Sequence, residues 1–351
     1  MSISLFSSEG TQEKPRPIKV VVVTMFESGA NTGDKPGELQ HWIENLDFEK
    51  PLVFPLGKQP LYVNADGLML VLVGGGIANA AASIIALGAD PRFDFSRSYW
   101  LVAGIAGGDP QDISLGSAAW AQHVVDGDLL YELDAREIPE HWPYGMIPLG
   151  SKEPILQHKK LNPRVALGNN HFALNKSLAA WAYSQTANLK LEDSDDLVNY
   201  RALYRGFPNA QRPPFVTMGD TLSASTYWHG KLLNQWANDW VQLYAGEQAN
   251  FVTANMEDSG TLTGLYRLAD AGLVDRDRIM ILRTVSNFTQ PPPGKDAVWS
   301  KTSPYPGGGG PALKTAFIVG NKVVQSLITG WPVFKEKTPG SKGPKSLREE
   351  H

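Results

Sequence analysis

The chain has 351 residues, 42% of them hydrophobic and 19% charged, with 32 basic and 36 acidic side chains and a net charge of −4. That balance supports a sizeable globular core and leaves no basic footprint for nucleic acid, so no nucleic-acid partner is expected. Cysteine is absent, which excludes disulfides, a thiolate nucleophile and a cysteine-bound metal.

The opening residues, "MSISLFSSEGTQEKPRPIK", have no basic patch leading into a long apolar run, so no signal peptide is expected in the chain as it stands. A cysteine-free chain is compatible with cytoplasm and periplasm alike. Residues 1–17 read as an N-terminal extension. The first element, "IKVVVVTM" (18–25), is almost continuously apolar, as a strand buried on both faces should be. The segment 68–89, "LMLVLVGGGIANAAASIIALGA", imitates a membrane span in length and lack of charge. Its glycine triplet divides it into a strand, a tight turn and an alanine-rich helix, so no membrane span is expected.

Further strands are expected at 98–107, 212–219, 249–256 and 278–286, and helices at 77–88, 174–187, 229–241, 259–273 and 311–331. In the helix at 259–273 the spacing of Leu262, Leu265, Tyr266, Ala269 and Leu273 marks one apolar face, with capping residues in "DSGT" at its start. The stretch 291–310 is a proline- and glycine-rich loop, and residues 332–351 read as a polar, frayed tail. No composition break divides the body, 18–331, and no repeat is visible. Strands alternating with helices predict an α/β fold around a largely parallel or mixed sheet.

In such sheets ligands sit beyond the carboxyl ends of the strands. The segments there are rich in glycine, hydroxyls, amides and single carboxylates, which suit a polar, neutral small molecule such as a sugar. Seven scattered histidines give no metal-binding pattern, and neither a dinucleotide fingerprint, a phosphate-binding P-loop nor a serine elbow is present. What remains is carboxylates and amides. Glu257 follows a strand, beside Met256. Its two oxygens can accept from a vicinal diol while a thioether packs on the sugar face. Equally, Glu257 can be the acidic first turn of the next helix. Glu27 is either a general base for water or a solvated loop acid. Asn287 is either a partner for a ring nitrogen and an exocyclic amine or an ordinary turn residue. Asp220 reads as an anchor for nearby backbone amides, with Thr221, Leu222 and Ser223 placed to touch ligand. Of the aromatics Trp42, Tyr227, Trp228, Trp299 and Tyr305, each is more often core edge than stacking platform. His229 reads as structural.

Taken in order, "VGGGIANAAASIIAL", "WLVAGIAGG", "VTMGDTLSAS", "ANMEDSGTLTGLYRL" and "ILRTVSNFT" resemble the motifs of the nucleoside phosphorylase and nucleosidase superfamily over residues 18–330. "MFESGANTGDKPGELQHW", "YELDAREIP" and "SASTYWHG" resemble the purine nucleoside permease (NUP) family within it. The resemblance implies a single-domain, three-layer, nucleoside phosphorylase-like fold, a purine nucleoside as substrate, no cofactor and no metal, and assembly from dimers. It implies Glu257 on the ribose hydroxyls with Met256 beside it. Thr221, Leu222 and Ser223 would border the base, Ile105, Ala106 and Gly107 would lie near the reacting carbon, and Asn287 at the N7 edge. Asn287 replaces the aspartate often found in relatives acting on adenine, and an amide cannot donate a proton outright. No arginine stands in the early loop to hold phosphate; Glu27 stands there instead and, by the resemblance, would be the catalytic residue that activates water, with Glu38 as its rival. Hydrolysis of the N-glycosidic bond is therefore expected ahead of phosphorolysis. A nucleoside-binding component of uptake that performs no chemistry is the alternative, and a relic with a decayed site the third reading.

Overall fold

Residues 14–154 and 170–341 are described in this computed structural model; the remainder of the expected N-terminal extension and polar tail lies outside them. Eleven strands form the main sheet among these residues. They are β1 (Val20–Thr24), β2 (Tyr62–Val63), β3 (Leu68–Leu72), β4 (Tyr99–Gly108), β5 (Ala118–Trp120), β6 (His123–Asp126), β7 (His171–Ala173), β8 (Val216–Met218), β9 (Asp220–Ser223), β10 (Phe251–Asn255) and β11 (Ile279–Phe288). The helices are α1 (Gln40–Asn45), α2 (Ile77–Gly88), α3 (Lys176–Thr186), α4 (Asp195–Arg201), α5 (Lys231–Ala245), α6 (Asp258–Asp270), α7 (Ala297–Thr302), α8 (Gly310–Thr329) and α9 (Trp331–Phe334). The sheet is mixed. β1 runs parallel to β3 and β4, and β11 parallel to β4, whereas β10 meets the end of β4 antiparallel.

The apolar strands are buried on both faces because each face has its own helices. Val21, Val23, Val71 and Val102 pack under Ile84 and Leu87 of α2 and Leu262 and Leu265 of α6. Their alternates Val20, Val22, Leu70 and Leu101 pack against Trp42, Leu178, Val319 and Val323 of α1, α3 and α8. The two-residue period of the strands thus sorts one hydrophobic run into two cores, giving three layers. The segment that imitates a membrane span is β3, a turn with Gly74 and Gly76 at φ +89° and +86°, and α2. Among the described residues no helix is long and apolar enough to cross a membrane.

One local feature positions the site. β4 pairs with β1 only as far as Val102, and β10 takes over the same edge at Gly107. Between them the strand edge is open, with Ile105 in the gap. On the other edge, β11 follows β4 but slips register between Val285 and Asn287. A bulge of this kind re-aims the next side chain, here that of Asn287.

Three expectations shift. The tail does not fray at residue 332: the carbonyls of Phe334 and Lys335 accept hydrogen bonds from the buried Arg278 guanidinium, 2.7 and 2.9 Å, and hold α9 in place. Arg16–Pro17, at the end of the expected extension, pairs with Phe93–Asp94. The loop at 291–310 contains α7, capped by the Asp296 carboxylate on the amide of Trp299.

α2 and α6 cross where Gly260 faces the backbone of Ile77, so that a Cβ there would run into the Ile77 carbonyl. Alanine at a helical glycine gains up to about 1 kcal/mol of propensity, while overpacking costs about 1–3 kcal/mol. Since the obstacle is backbone, the loss should dominate: Gly260→Ala is expected to lower stability by about 2 kcal/mol in urea unfolding.

Candidate active site

The open edge of β4 is covered by side chains. The Ile105 amide donates to Glu38 Oε1 at 2.8 Å, and the Ile105 carbonyl accepts from Arg283 Nη1 at 3.1 Å. The second oxygen of Glu38 accepts the Met25 amide, just past β1, at 2.7 Å. One carboxylate therefore bridges the two strands where they part. Glu38 is 3% exposed. Burial pushes its pKa up to about 8, Glu257 adds to the rise, and Arg283 and the two amides hold it back.

Arg283 rises from β11 into the same place and is 1% exposed. A guanidinium so buried must be neutralised. Asp258, wholly buried, takes it through Nε and Nη2, and Asn255 Oδ1 accepts from Nη2 at 3.3 Å. Glu257 Oε2 stands 3.5 Å from Nη2. Burial acts to lower the pKa of Arg283, but the carboxylates, Asp258 foremost, raise it above its ordinary value.

Glu257 occupies the position before α6, yet its side chain does not cap that helix. The first amides of α6 are served by others. Asn255 Oδ1 accepts from Glu257 and Asp258, and Ser223 Oγ from Ser259. The Glu257 carboxylate is left to face inward. Its Oε1 accepts the Gly76 amide at 3.2 Å, and burial raises its pKa while Arg283 opposes the rise.

A cleft opens beside this cluster, lined by Gly107, Tyr227, Trp228, Asn255, Met256 and Asn287 among others. Asn287 is half-buried. Its Oδ1 accepts from Ser286 Oγ at 3.0 Å, and its Nδ2 donates to the Tyr227 hydroxyl and the Phe288 carbonyl, both at 3.1 Å. Gly107 must be small, since a Cβ there would come within 3.1 Å of Thr289 Cγ2 and 3.3 Å of Asn287 Nδ2.

Met256, Asn287 and Gly107 line this cleft, whereas Glu257 stands in the neighbouring cluster against Gly76 and Arg283, with Ile105 and Ala106 one step behind on β4. Glu27 does something else. Its carboxylate accepts from the amides of Ser28, Gly37, Leu39 and Gln40, closing the loop that leads into α1. A carboxylate with four backbone donors is an anchor, and the acid that faces the cluster is its rival Glu38. Thr221, Leu222 and Ser223 also lie behind the cleft rather than on it. The Thr221 hydroxyl donates to the Thr253 carbonyl at 3.0 Å, Leu222 belongs to the core under α5, and Ser223 serves Ser259. The lining falls in the loop that follows β9, at Thr226, Tyr227 and Trp228. Asp220 is the backbone anchor expected, accepting from His123 and Asn250. Trp42 lies in the core, edge-on to Phe317, and Trp299 stacks on Tyr200.

Arg283 and Asp258, the buried ion pair at the centre of the cluster, are not marked out by the sequence motifs. The signal was there: an arginine inside "RIMILRTVS" demands a buried counter-charge. Among the described residues no group of three or more potential metal ligands occurs.

A family model described as purine nucleoside permease (NUP) matches residues 17–339. A purine nucleoside permease of Candida albicans is 31% identical over 308 residues, which is 85% of this chain and 74% of that protein. Among solved structures, a 5′-methylthioadenosine/S-adenosylhomocysteine nucleosidase of Neisseria meningitidis, in complex with methylthio-immucillin-A, is 16% identical. It matches with a TM-score of 0.50 over 89% of this chain and 99% of that one. The corresponding Campylobacter jejuni nucleosidase is 13% identical, with the same score and coverage. At these identities the likeness carries the fold, which is nucleoside phosphorylase-like.

Two outcomes follow from the charges. Asp258→Asn leaves Arg283 short of its main counter-ion and is expected to cost about 3–5 kcal/mol in denaturant unfolding, the range for breaking a buried pair. Glu38 has a raised pKa in the folded chain, so the stability it contributes is complete below pH 4.5 and is lost as pH rises through about 8. Thermal unfolding should show wild type losing stability relative to Glu38→Gln across that window; a constant difference contradicts the raised pKa.

Proposed function

The chain belongs to the purine nucleoside permease family, and from that premise we propose that it binds purine nucleosides in the cleft beside Met256 and cleaves their N-glycosidic bond with water. The observation that carries this reading is Glu38, a buried carboxylate with a pKa about 8, held at the strand split within the fields of Glu257 and Arg283. A general base works best when its pKa lies near the working pH.

In the proposed reaction the inward carboxylate of Glu257 accepts hydrogen bonds from the ribose 2′- and 3′-hydroxyls, and Met256 packs against the sugar. The C1′–N9 bond breaks with its electron pair leaving on the purine, and the sugar passes through an oxocarbenium-like state. Asn287 Nδ2 donates to N7 and stabilises the departing anion, whose proton then comes from water. Glu38 takes a proton from the water that attacks C1′, and free ribose results. Phosphate in place of water is disfavoured, because three carboxylates, Glu38, Glu257 and Asp258, surround one arginine that they already neutralise. Assembly from dimers belongs to the same proposal. So does the division into extension, body and tail, with the body reaching through the docked α9.

A second reading rests on the relatives' name: a nucleoside-binding component of uptake that performs no chemistry. One variant separates the two. Glu38→Gln should still bind inosine or adenosine within a few-fold by calorimetry and lose at least about 100-fold in base release, as expected for a lost general base. In wild type, kcat/KM should rise with pH and level off above about 8, because the base acts ionised and its pKa stands there. Unchanged release in Glu38→Gln removes the base from the mechanism. Tight binding with no release in wild type favours the uptake component.

A further inference from the structure

A second cavity adjoins the cleft at Asn287 and Tyr227. The two spaces share those two side chains as their common wall. The wall is a hydrogen-bonded chain: Asn287 Nδ2 donates to the Tyr227 hydroxyl at 3.1 Å, and the Tyr305 hydroxyl donates to the same oxygen at 3.2 Å. Tyr227 is 43% exposed, and the Lys301 ammonium sits 5.3 Å from its ring centroid. Beyond the wall the cavity is bordered by the rings of Tyr200, Phe288 and Tyr305 and by Pro304. Two polar atoms on its border, His229 Nε2 and Ser300 Oγ, are buried without a hydrogen-bond partner in the protein.

We infer that this cavity receives a ring-bearing substituent on the purine's 6-position, with Tyr227 as the movable wall that admits it. The inference rests on the proposed base orientation, in which N7 and the adjacent 6-substituent face Asn287. A base that takes the Asn287 amide competes with the Tyr227 hydroxyl for the same donor. Once displaced, Tyr227 no longer separates the two spaces. The exocyclic group is the part of the base that then points through the opening. With Tyr227 in place the cavity holds about 20 Å³, room for one water, so a flat apolar body enters only as Tyr227 swings away; the aromatic and proline walls then pack against it, and His229 Nε2 and Ser300 Oγ offer hydrogen bonds to a polar tip. An unsubstituted base leaves both atoms unserved by ligand. Tyr227 acts through the wall it forms and is a specificity residue, not a catalytic one.

The test compares adenosine with N6-benzyladenosine by calorimetric binding to the full chain, in wild type and in Ser303→Phe, which narrows the cavity from a side chain outside the cleft. Ser300→Leu serves as a second filling variant. Wild type should bind N6-benzyladenosine at least as tightly as adenosine. Filling should weaken the benzyl compound at least tenfold while adenosine changes less than twofold. Discrimination of more than a hundredfold against the benzyl compound in a wild type that binds adenosine overturns the inference alone, as does an equal loss for both ligands in the filled variants. Failure of both ligands to bind wild type removes the nucleoside reading and the inference with it.

Discussion

A strand whose edge is left unpaired in the interior must have its amides and carbonyls satisfied by something else. In this fold β1 leaves β4 at Val102 and β10 joins it at Gly107, and the gap falls at Ile105. Glu38 and Arg283 fill it. Their presence brings the rest. Arg283 needs Asp258, Asp258 needs Asn255, and Asn255 caps α6 so that Glu257 is released to face inward. This set of side chains makes a diverging sheet tolerable, and under the proposed function their charges are what a polar ligand would meet there.

Much of this was readable from residues. The alternation of apolar runs and helical patterns gives the α/β class because each valine strand is sorted by its two-residue period onto two helical layers. Met256 and Glu257 follow β10 directly and Asn287 lies at the end of β11, which is why sequence alone marks these positions as candidates for a ligand site. Sequence favours Glu27, which closely follows the first strand, over its rival Glu38 as the base. Both lie in one loop, and which of them points inward depends on Glu27 being taken by four backbone amides. Thr221, Leu222 and Ser223 resemble a pocket segment but form the strand beneath it; the chain reaches the cleft only after Ala224. The tail read as frayed because its composition is polar, yet the structural bond is to backbone carbonyls, which composition does not report.

The balance of charge in the cluster also connects fold to chemistry. Two of its carboxylates, Glu38 and Glu257, are held above their ordinary pKa by burial, and the one guanidinium is held charged by Asp258 first, with Glu257 and Glu38 adding to it. Such a cluster can accept protons and hydroxyl hydrogen bonds but is poorly suited to a dianion. The amide at Asn287 adds a donor without adding charge. The proposed reaction rests on this environment, which suits a neutral nucleoside and water better than a nucleoside and phosphate.

The most direct measurement is the product formed from inosine by the wild-type chain in phosphate-free water enriched in heavy oxygen, followed by mass spectrometry. Hydrolysis predicts free hypoxanthine and ribose carrying one heavy oxygen from solvent, with a rate that added phosphate does not raise. Ribose 1-phosphate formed only when phosphate is supplied would contradict the water-activating role of Glu38.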